Sequence, residues 1–420
     1  MNKNRSVNYA FIGTGEGGGR IAATFGRMGY VAGAINTSSS DLEGLTRLPS
    51  SHRLHIHTGL GVGGAGRDPR IGRDAILAHE TQVRDFTRDL TTQADHVMLC
   101  IGGGGGTGTG SAGELARILI RDLNRQLGVI YTLPQDDEGT SAGANAIRGL
   151  HGLYQLAEAG AISPLLLVDN SRIEELFPNV SVGHFWAQIN QHIADTWDTF
   201  NRLSTRRGWQ VATLDSMDYY LNVVQAGKCA SLGRAIVQDL KSPLALKRGV
   251  SEAMTSLIRG YDLATASAVG VIVIGSENTL NHLPKDYLRN GFRAIESILS
   301  GGHIVRGIYA DERYRHLHVH VFVSGLDLPE RVHELAAEAQ IQIDVLRSKI
   351  SRRTDPLAGV GFLDDNWLGF SRHPTDQEQT TALETAFSWM ERGNNVPSLP
   401  ASTSGLAAMA ARKKATRRRQ

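Results

Sequence analysis

Five consecutive glycines stand within IGGGGGTGTGSAG, residues 101–113. The preceding run, residues 96–101, is apolar and partly β-branched, which is typical of a buried strand. The following segment repeats Leu115, Ile118 and Leu119 at helical spacing. In an open α/β sheet, ligands bind at such strand-to-helix turns, where helix N–H groups suit phosphate. A flexible linker is the alternative, but linkers are not normally held between a buried strand and a patterned helix.

Composition limits the class of protein. The chain has 420 residues, 41% of them hydrophobic, with a formal net charge of +2. That is ample for two packed domains. The sequence has no apolar run long enough to span a bilayer, and its start does not read as a secretory signal. Two cysteines, Cys100 and Cys229, give no disulfide framework. We therefore expect a cytoplasmic protein.

Strand-like and helix-like segments alternate over residues 5–170, which predicts a parallel sheet covered by helices. A long helical pattern follows at about 181–205. A second α/β unit begins near residue 265 and ends with an amphipathic helix over 329–352. The fold class predicted is therefore α/β.

Two further glycine-rich loops precede predicted helices. The first is GTGEGGG, in which Gly13, Gly15 and Gly18 satisfy G-x-G-x-x-G. A dinucleotide-binding dehydrogenase would need an acidic residue at the end of the second strand, but Asn36 ends that strand and Asp41 lies too far along. The third loop opens TGLGVGGAGRDPRIGRDA, residues 58–75. A triphosphate held from several sides by backbone amides could use all three.

The three loops together resemble the tubulin/FtsZ superfamily. The match is most specific in GGGTGTG, residues 104–110, which resembles the signature loop of that family. GTGEGGG resembles its first phosphate loop, and the segment from residue 58 resembles its γ-phosphate loop. The resemblance runs from about residue 7 to 345 and implies binding of GTP and GDP. The nucleotide contacts implied by these loops and by the end of the second strand are Gly13, Gly15, Glu16, Gly17, Gly18, Asn36, Gly63, Gly64, Gly104, Gly105, Gly106, Thr107, Gly108, Thr109 and Gly110.

The resemblance also implies contacts on the nucleoside side of the site. DEGTSAGAN resembles the family's ribose segment, with Glu138 as the sugar contact and Asn145 as a further nucleotide contact. Asn170 stands where the family has an asparagine at the nucleotide. Trp186 and Asn190 lie four residues apart, on one helix face, and correspond to the family residues that stack on and hydrogen-bond guanine.

TLDSMDYY resembles the catalytic loop that reaches the nucleotide of the next subunit. The matching acidic residues are Asp215 and Asp218. Family chemistry implies that they position the attacking water and help to hold a cation. It also implies a head-to-tail homopolymer, since a heterologous contact that does not close grows into a filament. The alternative is that Asp215 caps a helix and Asp218 is an acid of its first turn.

Two positions depart from the family pattern. Glu16 stands where tubulins and the CetZ branch tend to have glutamine. Either it belongs to the shell of a Mg²⁺ ion, or it points to solvent. Thr213 replaces the asparagine that opens the catalytic loop in FtsZ, so the motif is nearer to CetZ and TubZ forms. A GTP-binding scaffold with little hydrolysis is therefore the alternative function.

The resemblance implies a GTP-binding domain, a long central helix and a smaller α/β activation domain, followed by a disordered basic tail. The basic end, residues 412–419, could bind a DNA-bound adaptor, an acidic partner or a membrane surface, or could be a solvated tail without a partner. We expect a role in DNA or plasmid positioning, or in cell shape or division. The predicted limits are 1–180, 181–207, 208–264 for the catalytic loop and connecting helices, 265–352, and 353–420 for the tail.

Three histidines, His316, His318 and His320, alternate along one predicted strand. Zinc binding is one interpretation, but no cysteine pattern accompanies them. We expect exposed strand-face histidines.

Overall fold

The computed structural model describes residues 4–209, 212–255, 257–297, 299 and 301–351. Its centre is one sheet of ten strands in the order β3-β2-β1-β4-β5-β6-β7-β10-β8-β9. The strands are β1 (Tyr9–Thr14), β2 (Val31–Asn36), β3 (Arg53–His55), β4 (His96–Gly102), β5 (Leu127–Leu133), β6 (Ile162–Asp169), β7 (Cys229–Val237), β8 (Ala268–Gly275), β9 (His303–Ala310) and β10 (Leu317–Leu326).

Twelve α-helices lie in the described residues. They are α1 (Gly15–Arg27), α2 (Ser39–Gly44), α3 (Pro69–Ala78), α4 (Glu80–Thr91), α5 (Gly106–Arg117), α6 (Thr140–Glu158), α7 (Asn170–Leu176), α8 (Val182–Leu203), α9 (Ala245–Met254), α10 (Glu277–Asn281), α11 (Lys285–Glu296) and α12 (Glu330–Ser351). Two π-helical segments lie in the described residues: Ile118–Asp122 follows α5, and Asp218–Val224 begins within the predicted catalytic loop. Over the described residues, no helix is both long and apolar enough to span a membrane.

The amino-terminal strands are parallel. β1 pairs with β2 and β4, β4 with β5, and β5 with β6, all in the same direction. These strands are almost wholly buried, as expected for a sheet covered on both faces. Their carboxyl ends therefore lie along one edge of the sheet, which is the edge where α/β proteins bind ligands.

The rest of the sheet is mixed. β7 pairs in parallel with β6, β10 is antiparallel to both β7 and β8, and β9 is parallel to β8. The α/β fold class is confirmed. The sequence reading did not identify β7, CASLGRAIV, whose glycine and arginine interrupt the apolar pattern.

The long helix α8 lies against both parts of the sheet. The Trp197 ring is fully buried, and its centroid lies 5.2 Å from that of Tyr9 on β1 and 5.4 Å from that of Phe322 on β10. One hydrophobic core therefore joins the two ends of the chain's compact unit, which runs to Ile343. The domain limits given above remain predictions. The predicted tail, 353–420, with its basic segment 412–419, lies outside the described residues.

The expectation of exposed histidines is wrong for one of the three. His316 is exposed and His318 half-buried, but His320 is only 2% exposed. The face of β10 that carries His320 is covered by α8, whose Trp197 ring packs on Phe322, two residues further along the same face. Burial lowers the pKa of His320 well below its usual value, and Arg234 lowers it further.

Candidate functional site

A cavity of about 490 Å³ opens at the carboxyl edge of the parallel strands. That volume lies in the range of small-molecule sites. Its lining residues from the predicted set are Gly15, Glu16, Gly17, Asn36, Gly64, Gly104, Gly105, Gly106, Thr107, Gly108, Glu138, Asn170, Trp186 and Asn190. The tertiary structure thus brings residues from three glycine loops and α8 around one space.

The glycine run forms one wall of this cavity. β4 ends at Gly102 and α5 begins at Gly106, with Gly105 as its N-cap and no side chain hydrogen-bonded to the helix end. Gly104 has φ = +93°, a conformation that favours glycine. The first N–H groups of α5 are therefore available to an anion in the cavity.

The first glycine loop forms the neighbouring wall. α1 begins at Gly15, and its N-cap, Thr14, makes no side-chain capping bond. Gly15 has φ = +69°, and a Cβ there would lie 2.9 Å from the N of Gly108. Two uncapped helix N-termini thus approach each other at the cavity, and their dipoles both favour negative charge there.

Gly13 and Gly18 do not line the cavity. A Cβ on Gly13 would meet the Gly18 carbonyl oxygen at 2.3 Å, and one on Gly18 would meet the Cys100 carbonyl oxygen at 2.1 Å. Both glycines allow α1 to pack closely on β1 and β4. Their role as direct nucleotide contacts stays a prediction.

The third glycine loop contributes Gly64 to the cavity wall, whereas Gly63 lies outside it. The Gly64 N–H donates to the Thr37 carbonyl oxygen at 2.9 Å. Asn145 also lies outside the wall but forms hydrogen bonds to it. Its Nδ2 donates to the carbonyl oxygens of Arg67 at 2.8 Å and Gly104 at 3.3 Å. Asn145 therefore links this loop to the glycine run.

The hydroxyl groups of both threonines in the signature loop form hydrogen bonds within the protein. The hydroxyl of Thr107 lies 2.6 Å from that of Thr37, and Thr107 lines the cavity. The hydroxyl of Thr109 accepts the Gly104 N–H at 3.2 Å, outside the wall. Gly110 is also outside, where a Cβ would meet the Pro69 carbonyl oxygen at 1.9 Å. These residues shape the loop and seat α5 on α3.

The nucleoside side of the cavity holds four predicted residues. Glu138 uses one carboxylate oxygen to accept the Gln135 N–H at 2.9 Å. Trp186 is half-buried on α8, and Asn190 lies one turn further along the same helix, 6% exposed. The Oδ1 of Asn170 is buried without a hydrogen-bond partner among the described residues. A buried acceptor without a partner is costly, and a bound donor would satisfy it.

Charged residues of both signs surround the phosphate side. The Glu16 carboxylate pairs with Arg20 Nη2 at 2.5 Å, and both side chains are about half exposed. Asp41 accepts a hydrogen bond from Asn36 Nδ2 at 3.0 Å, and both line the cavity. No cluster of three potential metal-ligating side chains occurs within the described ranges. Carboxylates of Glu16 and Asp41 still suit Mg²⁺, which keeps several waters and uses one or two protein carboxylates.

Sequence reasoning missed several lining residues. Asp41 was set aside as too distant, but the short helix α2 turns it back toward Asn36. The N-cap Ser38, three residues before Asp41, was the available signal. The other lining residues not foreseen are Thr14, Arg20, Ile21, Ser38, Ala65, Arg67, Gly102, Gly103, Thr132, Gln135 and Ile189.

The predicted catalytic residues lie at the opposite edge of the sheet. Ser216 Oγ is 2.9 Å from Ser6 Oγ, just before β1. The hydroxyl of Tyr219 lies 3.2 Å from that of Tyr9, the first residue of β1. Tyr220 OH is 3.3 Å from Nδ1 of His96, the first residue of β4. Asp215 and Asp218 therefore stand near the amino ends of strands whose carboxyl ends line the cavity.

The two aspartates also form hydrogen bonds within their own segment. Asp215 Oδ1 accepts the N–H groups of Met217 at 2.8 Å and Asp218 at 2.9 Å, which is the capping geometry. Partial burial raises the pKa of Asp218, and the neighbouring Asp215 charge raises it further. The hydroxyl of Thr213 accepts the Gly208 N–H at 2.9 Å, so it closes the preceding turn. Capping and a role toward a neighbour are compatible, because the capping bonds use only Oδ1 of Asp215 and the backbone N–H of Asp218, whose carboxylate accepts Asn222 Nδ2 at 3.1 Å through Oδ1.

The chain is similar in sequence to a tubulin-like protein CetZ of Pyrococcus abyssi, with 27% identity over 373 residues, covering 85% of this chain and 97% of that protein. Among solved structures it is similar to the GTPγS-form protofilament of TubZ from Bacillus thuringiensis serovar israelensis, with a TM-score of 0.73, 17% identity, and coverage of 84% and 97%. It is also similar to GTPγS-bound protofilament CetZ2 of Haloferax volcanii, with a TM-score of 0.67, 24% identity, and coverage of 81% and 99%.

The family model described as the GTPase domain of the tubulin/FtsZ family matches residues 9–177. That range contains β1 to β6 and all three glycine loops. The matched range ends at α7, so it includes Asn170 but not α8. Residues 9–177 thus match the GTPase domain of the tubulin/FtsZ family, and the chain over most of its length resembles the CetZ and TubZ members of that superfamily.

Proposed function

We propose that this protein binds and hydrolyses GTP and polymerises head-to-tail, each copy supplying Asp215 and Asp218 to the GTP of its neighbour. The observation that carries the proposal is the separation of the two half-sites. The glycine loops line a cavity at the carboxyl edge of the sheet, and both aspartates stand by the amino ends of β1 and β4. One copy cannot bring its own aspartates to its own cavity, whereas two copies stacked along the strand direction can.

The chain's own residues suit each part of GTP. The free N–H groups at the starts of α1 and α5 can receive phosphate oxygens. Trp186 offers a ring for the base, and Asn170 Oδ1 offers an acceptor that has no hydrogen-bond partner in the described part of the chain. Glu138 keeps one oxygen free for a ribose hydroxyl.

The residues also fit a Mg²⁺ ion beside the phosphates. Glu16 and Asp41 would hold it through water or directly, and bound Mg²⁺ would neutralise charge on the phosphate oxygens. Asp215 and Asp218 of the next copy would orient the attacking water and accept its proton. Hydrolysis would then require assembly and would weaken the joint.

The cellular use proposed is a filament for positioning DNA or plasmids, or for cell shape or division. The related TubZ and CetZ2 structures are protofilaments, which supports a filament. The alternative is a GTP-dependent scaffold with little hydrolysis. One observation favours it. Thr213 stands where FtsZ has an asparagine, and its hydroxyl already accepts a hydrogen bond from the Gly208 N–H.

Phosphate release from GTP against protein concentration, with Mg²⁺, tests the proposal. We expect a threshold concentration, with hydrolysis rising steeply above it and lost in Asp218→Asn. Asp89→Asn is the control, since it makes the same change at an exposed aspartate on α4. A rate proportional to concentration and equal in both variants would contradict the proposal. GTP binding with phosphate release no faster than in the absence of protein would favour the scaffold function.

Mixing two inactive variants tests whether the site is shared. Asp218→Asn keeps the cavity, and Gly105→Ala keeps both aspartates. If the site lies between copies, a mixture restores hydrolysis at joints where a GTP-bound Asp218→Asn copy meets an intact Asp218. If the site lies within one copy, the mixture stays inactive.

A further inference from the structure

Arg331, in the first turn of α12, forms ion pairs with residues from two segments that line the nucleoside side of the cavity. Its side chain is only 14% exposed, and the guanidinium contacts Asp136 through Nη2 and Asp169 through Nε at 3.5 Å. Asp136 is two residues before Glu138, and Asp169 directly precedes Asn170. A planar guanidinium can contact two carboxylates at once, which a lysine cannot do in the same way.

The two segments are tied to each other as well. The Asp136 N–H donates to Ser171 Oγ at 3.1 Å, and Gln135 Nε2 donates to Glu174 Oε2 at 3.1 Å. The Gln135 N–H in turn holds the Glu138 carboxylate at 2.9 Å. A shift of either segment would therefore displace both Glu138 and Asn170.

Electrostatics make Arg331 important to this arrangement. The Asp169 side chain is 7% exposed, and it caps α7 by accepting the Ser171 N–H at 3.2 Å. Burial raises the pKa of Asp169, and the Arg331 charge counters that rise. Removing the guanidinium would leave a buried carboxylate without its cation, which is strongly unfavourable.

The start of α12 is itself fixed in the fold. The Glu330 N–H donates to the Gly260 carbonyl oxygen at 2.8 Å, and Val332 and Leu335 are each 5% exposed. Arg331 therefore projects from an anchored turn, and it connects α12 to Asp136 and Asp169 rather than to the cavity itself.

We propose that Arg331 is a positioning residue that holds Glu138 and Asn170 in place for the nucleoside part of the ligand, and so couples α12 to nucleotide binding. This inference rests on the proposed GTP function. Because coupling is reciprocal, a change at the start of α12 would alter GTP affinity, and bound GTP would stabilise the start of α12.

The test compares equilibrium binding of GTP with that of 2′,3′-dideoxy-GTP, which lacks the ribose hydroxyls offered to Glu138. For the wild type we expect GTP to bind about tenfold more tightly than the dideoxy analogue. In Arg331→Gln we expect GTP affinity to fall about tenfold and the affinity of the analogue much less, so that the preference is lost. Hydrolysis per bound GTP at saturation should remain unchanged.

Glu334→Gln is the matched control. It removes a more distant partner of the same guanidinium, at 3.8 Å, which belongs to α12 itself and is 55% exposed. If Arg331→Gln fails to fold, Asp136→Asn replaces it, because the Asp136 side chain is 72% exposed and its loss should not unfold the chain. Asp136→Asn should reduce the GTP preference in the same direction.

An equal loss of affinity for both nucleotides would indicate a merely structural role and overturn the inference, as would unchanged binding. These results differ from failure of the proposed function, in which the wild type itself would not bind GTP.

Discussion

The hydroxyl groups of Tyr9 and Tyr219 lie 3.2 Å apart, in the fully buried core beneath α8. Tyr9 begins β1, and Thr14, which ends that strand, lines the cavity. Six residues of strand span about 17 Å. This bond therefore fixes the segment that carries Asp218 at the far end of the same strand from the proposed phosphate site.

Replacing Tyr219 by Phe should weaken that connection. One buried hydroxyl loses its partner, so the free energy of unfolding should fall by about 1–2 kcal/mol. Denaturant unfolding of Tyr219→Phe, Tyr9→Phe and the double variant would measure it. The double variant should cost less than the sum of the single ones, and simple additivity would mean that the two hydroxyls do not interact.

Alanine at Gly105 should block phosphate without harming the fold. A Cβ there would have only the Gly102 carbonyl oxygen nearby, at 4.0 Å, and it would project beside the cavity. We expect GTP affinity to fall about tenfold or more with unchanged thermal stability. Gly113→Ala, where a Cβ meets nothing within 4 Å, is the control and should bind normally. Normal GTP binding by Gly105→Ala would argue against phosphate contact at this loop.

Gly110→Ala should instead destabilise the protein, because its Cβ would lie 1.9 Å from the Pro69 carbonyl oxygen.

Trp186 should report base binding directly. If its ring stacks on guanine, GTP will quench its fluorescence, and Trp186→Ala will weaken binding by about 1–2 kcal/mol. Trp186→Phe should retain part of the affinity. The four other tryptophans contribute background emission, so the measured quantity is the difference spectrum between wild type and Trp186→Phe. GTP quenching that persists in Trp186→Phe would place the effect elsewhere.

The role of Glu16 can be separated from that of its partner Arg20. If Glu16 helps to hold Mg²⁺, Glu16→Gln should raise the Mg²⁺ concentration for half-maximal hydrolysis severalfold. The same variant should bind GTP more tightly in the absence of Mg²⁺, since a like charge is removed. Glu80→Gln on α4, another arginine-paired glutamate, serves as control. An unchanged Mg²⁺ requirement would leave Glu16 as the ion-pair partner of Arg20 alone.

Acid should destabilise the fold through three buried histidines. Burial lowers the pKa of His96 and of His192 to about 3, and that of His320 well below its usual value. Between about pH 3 and 6.5 the unfolded chain binds protons that the folded chain does not, so stability rises with pH in that window and is level above it. Each histidine contributes about 1.4 kcal/mol per pH unit at most.

His320→Leu should reduce the slope of unfolding free energy against pH below 6.5. Neither ring nitrogen of His320 has a hydrogen-bond partner among the described residues, so the change removes no bond. His316→Leu is the matched control, because His316 is exposed on the same strand. Identical slopes for the two variants would contradict the assignment.

The sequence alone determined the α/β class, because strand and helix periodicities alternate and glycine loops mark the strand-to-helix turns. It also identified most of the cavity, since helix N-termini and glycine turns are local features within a few residues. The roles of Asp41 and Arg331 could not be predicted from the sequence. Their roles depend on α2 turning back on Asn36 and on α12 meeting segments that carry Asp136 and Asp169, far earlier in the chain.

Packing between distant segments sets which strands are central and which edge of the sheet each site residue occupies. His320 alternates with apolar neighbours as a surface residue would, but α8 covers that face of β10 and buries it. Likewise, the motif TLDSMDYY does not indicate how far its segment lies from the glycine loops in the folded protein. The contacts of Tyr219 with Tyr9 and Tyr220 with His96 set that segment at the amino edge. Periodicity encodes which face of an element is apolar, but strand order and long-range pairing arise from packing between segments far apart in the chain.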